Sequence, residues 1–129
     1  MNIDRRTYRI ELMILLYQDD LYQSENIPFE PQFVNEEVEK SYQEIKEKLS
    51  AIDQAIEEQL VNYTLNRLSY PDRAIIRVAT FELMFTEIPK EIIINEAIEI
   101  TKIYTTLDDE KQRKFNHRLI DQIASAVRG

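Results

Sequence analysis

The sequence predicts an all-α fold of about six or seven helices, and two observations support this prediction. The 129 residues include one Gly, at the last position, and four Pro, whereas all-β domains need such residues in frequent turns. Hydrophobic residues make up 43% of the chain and recur mostly at intervals of three or four, which is the helical period. The length favours one domain, residues 1–129, with a core of its own.

The first helix is predicted over Arg5–Leu21, with Asp4 as its N-cap and apolar residues at helical spacing. A connector with two Pro follows at 24–31. From Val38 to Tyr63 an apolar residue recurs every three or four positions, which indicates one long helix or two in succession, with a coiled coil as the alternative. Ser50, followed three residues later by Asp53, is a candidate cap for a second helix there.

The next helix is expected from Ser69, a second capping candidate, to about Phe85. It is apolar on most sides, which is typical of a helix at the centre of its domain. Ile88-Pro89 ends it, and a further helix is predicted from about Glu91 to Tyr104. Asp108 or Asp109 is expected to cap the last helix, whose inward face would carry Phe115, Leu119, Ile123 and Val127.

Polar residues interrupt this apolar C-terminal half, and buried charges must be paired because an unpaired one is very costly. We expect Glu82 to be a buried acid paired with Arg73 or Arg77. Asn95 is expected to be a structural polar group that fixes the entry of a helix.

Composition narrows the class of function. The chain has no Cys and a single His, His117, so a disulfide framework, a thiolate metal site and a histidine metal cluster are not expected. No Gly-rich phosphate loop or nucleophile elbow is present. We therefore expect no catalysis, no cofactor and no metal. Because no run resembles a signal peptide or a membrane span, the expected location is the cytoplasm, without membrane contact.

Charge is distributed unevenly along the chain, whose net charge is −8. Residues 1–9 carry a local charge of +2, residues 10–66 carry −10, and the remainder is balanced. The acidic middle would repel a phosphate backbone. Any nucleic-acid contact is therefore expected at Arg5, Arg6 and Arg9, or at the basic run 111–118, unless these are ordinary solvated charges.

Three segments together resemble the NusB family of transcription antitermination factors, with the second segment the most specific. The first joins an arginine-rich helix start to Leu15-Leu16-Tyr17-Gln18. The second segment runs from Asp72–Arg77 through Glu82-Leu83 and Ile88-Pro89 to Ile94–Glu99 and Lys102. The third segment runs from Lys114-Phe115 to Leu119-Ile120-Asp121. The resemblance covers nearly the whole chain.

The resemblance implies a pair of small packed helical bundles, which we assign to residues 1–68 and 69–129. It also implies a non-catalytic role in which the protein binds single-stranded boxA-like RNA of ribosomal RNA transcripts together with the ribosomal protein NusE. The RNA polymerase elongation complex would be an indirect partner.

The same resemblance assigns RNA contacts to Arg5, Arg6, Arg9 and Phe115, and contacts with NusE to Tyr17 and Asp72. Without the family match, Tyr17 reads as a core aromatic and Asp72 as a helix-cap acid. The family's closing Val-Asn-Gly is replaced by Asn116-His117-Arg118, which removes a Gly that permits close backbone approach.

Two alternatives stay open at this point. One is a NusB-like protein–protein interaction module with weakened RNA binding, which could also form a homodimer. The other is RNA targeting for a ribosomal RNA methyltransferase acting as a separate chain.

Overall fold

A computed structural model describes residues 2–104 and 110–129 of the chain. The described residues form six α-helices and one short 3-10 helix, in the order that follows: α1 (Arg5–Ser24), α2 (Glu36–Glu47), α3 (Leu49–Glu57), the 3-10 helix (Leu65–Arg67), α4 (Tyr70–Phe85), α5 (Lys90–Tyr104) and α6 (Glu110–Arg128). No strand occurs among these residues. The all-α prediction and its number of helices are confirmed.

Helix α4 is the centre of the fold. It packs against α1, α3, α5 and α6, and every residue from Asp72 to Leu83 is buried. Ser69 begins the helix as predicted, since its Oγ accepts a hydrogen bond from the backbone N–H of Asp72, and Pro71 lies in the first turn. Its missing N–H does no harm there, because first-turn amides have no partner within the helix.

The helices that precede α4 follow one of the arrangements predicted from the sequence, two helices in succession. The apolar pattern of residues 38–63 forms two short helices, α2 and α3, which meet at Lys48, and not a long coiled coil. Ser50 does not cap α3, because the helix begins at Leu49 and no side chain caps it. By contrast, Asp4 caps α1 as predicted by accepting a 2.7 Å hydrogen bond from the Thr7 N–H.

One continuous hydrophobic core joins the two halves of the chain. Buried apolar residues from Tyr8 in α1 to Ala124 in α6 belong to the same cluster. On α6, Leu119 and Ile123 are fully buried, while Phe115 and Val127 pack against the cluster at its edge. Asp108 and Asp109, the expected caps of this helix, lie outside the described residues. The division into bundles at 1–68 and 69–129 remains a prediction.

Candidate nucleic-acid interface

The N-terminal arginines lie in the first two turns of α1, immediately after the Asp4 cap. The inward face of this helix is set by Tyr8 and Leu12, which are buried in the core. Arg9 shares a face of the helix with Leu12 and Met13, three and four residues further on, which are also buried. Arg5 and Arg6 lie in the first turn, at the exposed end of the helix. Arg5 and Arg6 point to the surface, and Arg9 points inward with Tyr8 and Leu12.

Arg6 is half exposed, and a carboxylate from another helix holds it. Its Nε and Nη2 donate to the two carboxylate oxygens of Glu96 on α5, at 3.0 and 2.8 Å. This fork-on-fork geometry is the strongest arrangement that an arginine makes with an acid. The hydrogen bond from Arg6 lowers the pKa of Glu96, although partial burial opposes the shift.

Arg5 is also exposed and also paired. One guanidinium nitrogen, Nη1, donates to both oxygens of Glu37 on α2, at 3.2 and 2.9 Å. The same guanidinium lies 3.9 Å from the centroid of the Tyr8 ring, which is a cation–π distance. Arg5 and Arg6 therefore form the basic edge of the candidate interface, flanked by Glu37 and Glu96.

Arg9 has a different environment from the one expected. Its side chain is 6% exposed, and its Nε donates to Glu82 on α4 at 2.8 Å. Glu82 is itself only 3% exposed, and burial raises its pKa while Arg9 partly offsets this. A guanidinium held inside the core cannot reach a phosphate without disrupting it. The structure thus places Arg9 in a buried ion pair, beneath the exposed Arg6, whose partner Glu96 is also 4.0 Å from Arg9.

The partner of Glu82 also corrects the expected pairing with Arg73 or Arg77. Arg77 binds Asp53 on α3 with two hydrogen bonds of 2.8 Å, and its Nη1 contacts Asp20 on α1 at 3.1 Å. Arg73 also reaches Asp20, at 3.5 Å, and donates to the backbone carbonyls of residues 66 and 68. These two arginines tie α4 to α1 and α3, so their predicted structural character fits their positions.

Asp72, predicted to contact a protein partner, is 4% exposed and fully engaged inside the fold. Its Oδ2 accepts from the Ser69 hydroxyl, and its Oδ1 accepts from the amide of Asn116 on α6, both at 2.8 Å. Asp72 therefore fastens the start of α4 to α6. A direct contact with a partner would require this network to open.

The remaining predicted site residues lie at or near the surface. Tyr17 and Phe115 are partly buried against the core, and the Phe115 ring packs on the Tyr63 ring with centroids 5.1 Å apart. Asn95 is exposed on α5. It lies inside that helix, which begins at Lys90, and not at the helix entry where it was expected.

Sequence reasoning missed a buried polar cluster at the far end of α1. Asp19 forms an ion pair with Lys46 on α2 and accepts a 3.4 Å hydrogen bond from the Tyr42 hydroxyl. Burial is the largest cause that raises the pKa of Tyr42, and Asp19 adds to it. The signal was available, because Asp19 lies at helical spacing from the buried Leu12 and Leu16 and must therefore face inward.

Neither a metal site nor a membrane-spanning helix is found in the part of the chain that the structure describes. Over residues 2–104 and 110–129, His and acidic side chains form no group of three that could hold a metal ion. None of the described helices is both long and apolar enough to cross a bilayer.

Comparison with known proteins gives a consistent result. The profile of the NusB family matches residues 8–123. The transcription antitermination protein NusB of Bacillus cereus (strain B4264) is 39% identical over 131 residues, which cover 95% of this chain and 98% of that protein. The protein of the same name from Thermotoga maritima is 49% identical over 81 residues, or 62% of this chain and 55% of that protein.

Solved structures agree with the sequence comparisons. The crystal structure of T. maritima NusB has a TM-score of 0.76 and 35% identity, and covers 97% of this chain and 93% of its own. A complex of the antitermination factors NusB and NusE with double-stranded RNA has a TM-score of 0.74 at 23% identity, with 95% and 96% covered; this second likeness shows the fold alone. The family match over most of the chain and the full-length similarity to B. cereus NusB establish that this chain belongs to the NusB family.

Proposed function

We propose that this chain is a cytoplasmic, non-catalytic transcription antitermination factor that binds single-stranded boxA-like RNA of ribosomal RNA transcripts together with NusE. The RNA polymerase elongation complex is its indirect partner. Family membership supports this proposal, and so does the crystal structure of a complex of the same fold, in which NusB and NusE bind double-stranded RNA.

The single observation that carries the RNA contact is the basic edge at the start of α1. Arg5 and Arg6 are the exposed members of the arginine run, with side chains 52% and 46% exposed. A guanidinium can fork onto a phosphate or stack on an unpaired base. Because residues 10–66 carry a charge of −10, a local basic edge at the start of α1 is where a polyanion would be attracted. Phe115 is the aromatic residue that we include for base stacking, and Tyr17 and Asp72 remain the predicted contacts with NusE.

The test is a fluorescence anisotropy titration of boxA-like RNA, with a scrambled RNA as the comparison, in the presence and absence of NusE. We expect wild-type protein to prefer boxA-like RNA and to bind it more tightly with NusE. Arg6→Ala should weaken binding on the order of tenfold, since it removes charge-assisted hydrogen bonds.

Lys48→Ala removes the same charge at the junction of α2 and α3 and serves as the matched control. Arg9→Ala is unsuitable here, because it would leave Glu82 buried without its partner. Equal affinity for both RNAs, with and without NusE, would refute the proposal.

A second candidate function is a NusB-like protein–protein interaction module with weakened RNA binding. The observation in its favour is that Arg5, Arg6 and Arg9 each form an ion pair with a glutamate of the same chain. The acidic helices would suit a basic ribosomal protein, and the exposed aromatic residues would suit a second copy of the chain in a homodimer. Capture of NusE that is unaffected by ribonuclease, together with no preference for boxA-like RNA, would favour this module.

A further inference from the structure

We propose that Glu96 and Glu37 act as an acidic latch on the basic edge, and that RNA must displace these carboxylates from Arg6 and Arg5 in order to bind. The latch rests on the proposed function in that RNA is the polyanion that opens it. It makes two acidic residues determinants of RNA affinity, although neither would be expected to touch a phosphate.

The pairs are positioned by the fold and do not arise from neighbouring residues. Glu96 reaches Arg6 from α5, ninety positions along the chain, and Glu37 reaches Arg5 from α2, thirty-two positions away. On α5, Ile93, Ala97 and Ile100 face the core, which turns Glu96 toward the flank where α5 meets α1. The carboxylates therefore stand at the guanidinium groups before any ligand arrives.

The three arginine–glutamate pairs differ in burial, and a phosphate can displace the carboxylate more easily from a pair that is less buried. The Arg9–Glu82 pair is buried, so a solvated ligand cannot compete for it. The Arg6–Glu96 pair has a half-exposed arginine and a carboxylate that is 20% exposed, and the Arg5–Glu37 pair is open to water on both sides. Exposed ion pairs are weak and are screened by salt, so a phosphate can take the place of either carboxylate. Two nitrogens of Arg6 donate to Glu96, whereas one nitrogen of Arg5 donates to Glu37. Glu96 should therefore be the stronger half of the latch.

Glu96 remains ionised at neutral pH and so competes with a phosphate for Arg6. The hydrogen bond from Arg6 lowers the pKa of Glu96, so the carboxylate stays ionised where the protein would meet RNA. Arg9 also lies 4.0 Å from Glu96, which adds a second positive charge beside it. Competition by another anion is then the route by which Arg6 is released.

The experiment measures the affinity of the full chain for a short oligouridylate, a sequence-neutral single-stranded RNA, over a series of salt concentrations. We expect Glu96→Gln to bind about two- to fivefold more tightly than wild type, as the loss of one exposed ion pair allows. The salt dependence should also steepen by about 0.7 in its logarithmic slope, since one more arginine neutralises a phosphate without a residual carboxylate. Glu37→Gln should change the affinity and the salt dependence in the same direction, by a smaller amount.

Two controls separate the latch from a general loss of negative charge. Glu44→Gln removes the same charge and breaks a comparable exposed ion pair, with Lys48, so it should bind like wild type. In an Arg6→Ala background the gain from Glu96→Gln should vanish, because the two residues act through one contact. Circular dichroism verifies that each variant is folded.

The latch is refuted if Glu96→Gln gains no affinity, if Glu44→Gln gains as much, or if the gain persists without Arg6. The probe carries no boxA sequence, so these outcomes do not depend on sequence preference. Failure of the proposed function would instead appear as equal affinity for boxA-like and scrambled RNA, whatever Glu96→Gln does with oligouridylate.

Discussion

Three arginines at the start of α1 show how much the environment of a residue decides its role. Arg5, Arg6 and Arg9 look alike in the sequence, but the side chain of Arg9 is 6% exposed whereas those of Arg5 and Arg6 are 52% and 46% exposed. The inward position of Arg9 could be read from Leu12 and Met13, which share its face of the helix. The partners could not be read, because they come from distant helices whose packing the local pattern does not specify.

At this scale we predict that Glu82→Gln strongly destabilises the protein. The substitution removes the buried carboxylate that lies 2.8 Å from Arg9 and leaves only the more distant Glu96, at 4.0 Å, as its countercharge. The free energy of unfolding should therefore fall by about 3–5 kcal/mol. Glu96→Gln removes a partly exposed partner and should cost at most about 1 kcal/mol. Urea unfolding followed by circular dichroism measures both, and similar small losses would show that the buried pair has no special weight.

Helix ends were the most predictable feature of the individual elements where a side chain had a clear partner. Asp4 and Ser69 cap α1 and α4 as expected, whereas Ser50 has the right sequence spacing and no capping role. The difference lies in where the helix begins. Because the chain turns at Lys48, α3 begins at Leu49, so the Ser50 hydroxyl lies within the helix and not at its N-cap.

Some features of these elements could not have been predicted. The last helix ends with Arg128, whose guanidinium donates to backbone carbonyls at the end of α4, among them those of Glu82 and Leu83. The Glu82 carbonyl also accepts from Thr86, whereas Leu83 is one of the last four residues of α4, whose carbonyls a helix C-terminus leaves without partners inside the helix. Nothing in the sequence around Arg128 indicates that it reaches another helix, because that contact depends on how α6 packs.

The two serines provide a matched prediction for the elements. Ser69→Ala removes the N-cap of α4 and its contact with Asp72, and should lower the free energy of unfolding by about 1 kcal/mol. Ser50→Ala should stay within about 0.5 kcal/mol of wild type, as is usual for exposed positions without special contacts. Thermal unfolding of both variants gives the comparison, and equal losses would contradict the assignment of the cap.

In the molecule as a whole, α4 connects the parts that the sequence had suggested as separate bundles. Helix α1, from the first half, packs most extensively against α4, from the second, and the Arg77 ion pairs with Asp20 and Asp53 cross the same boundary. Hydrophobic spacing revealed how many helices there are. It could not reveal which helices share a core, because the apolar face of one helix carries no information about which other helix packs against it.

We therefore predict that residues 1–68 and 69–129 unfold together. A shared core and shared ion pairs make the separation of either half costly, so helix content and tyrosine fluorescence should be lost in one coincident urea transition. The chain has seven Tyr and no Trp, which makes tyrosine the natural reporter. Two resolved transitions would instead establish the halves as independent units.

The central position of α4 has a consequence for how such chains diverge. A side chain on α4 meets a neighbour in almost every direction, so few replacements can be accommodated there without shifting another helix. The segment that resembles the NusB family most specifically in the sequence, from Asp72 onward, includes this crowded helix. The resemblance to the family in this segment therefore reflects the packing of α4. The side chains that would select a ligand lie on the surface, where substitutions are easier to accommodate.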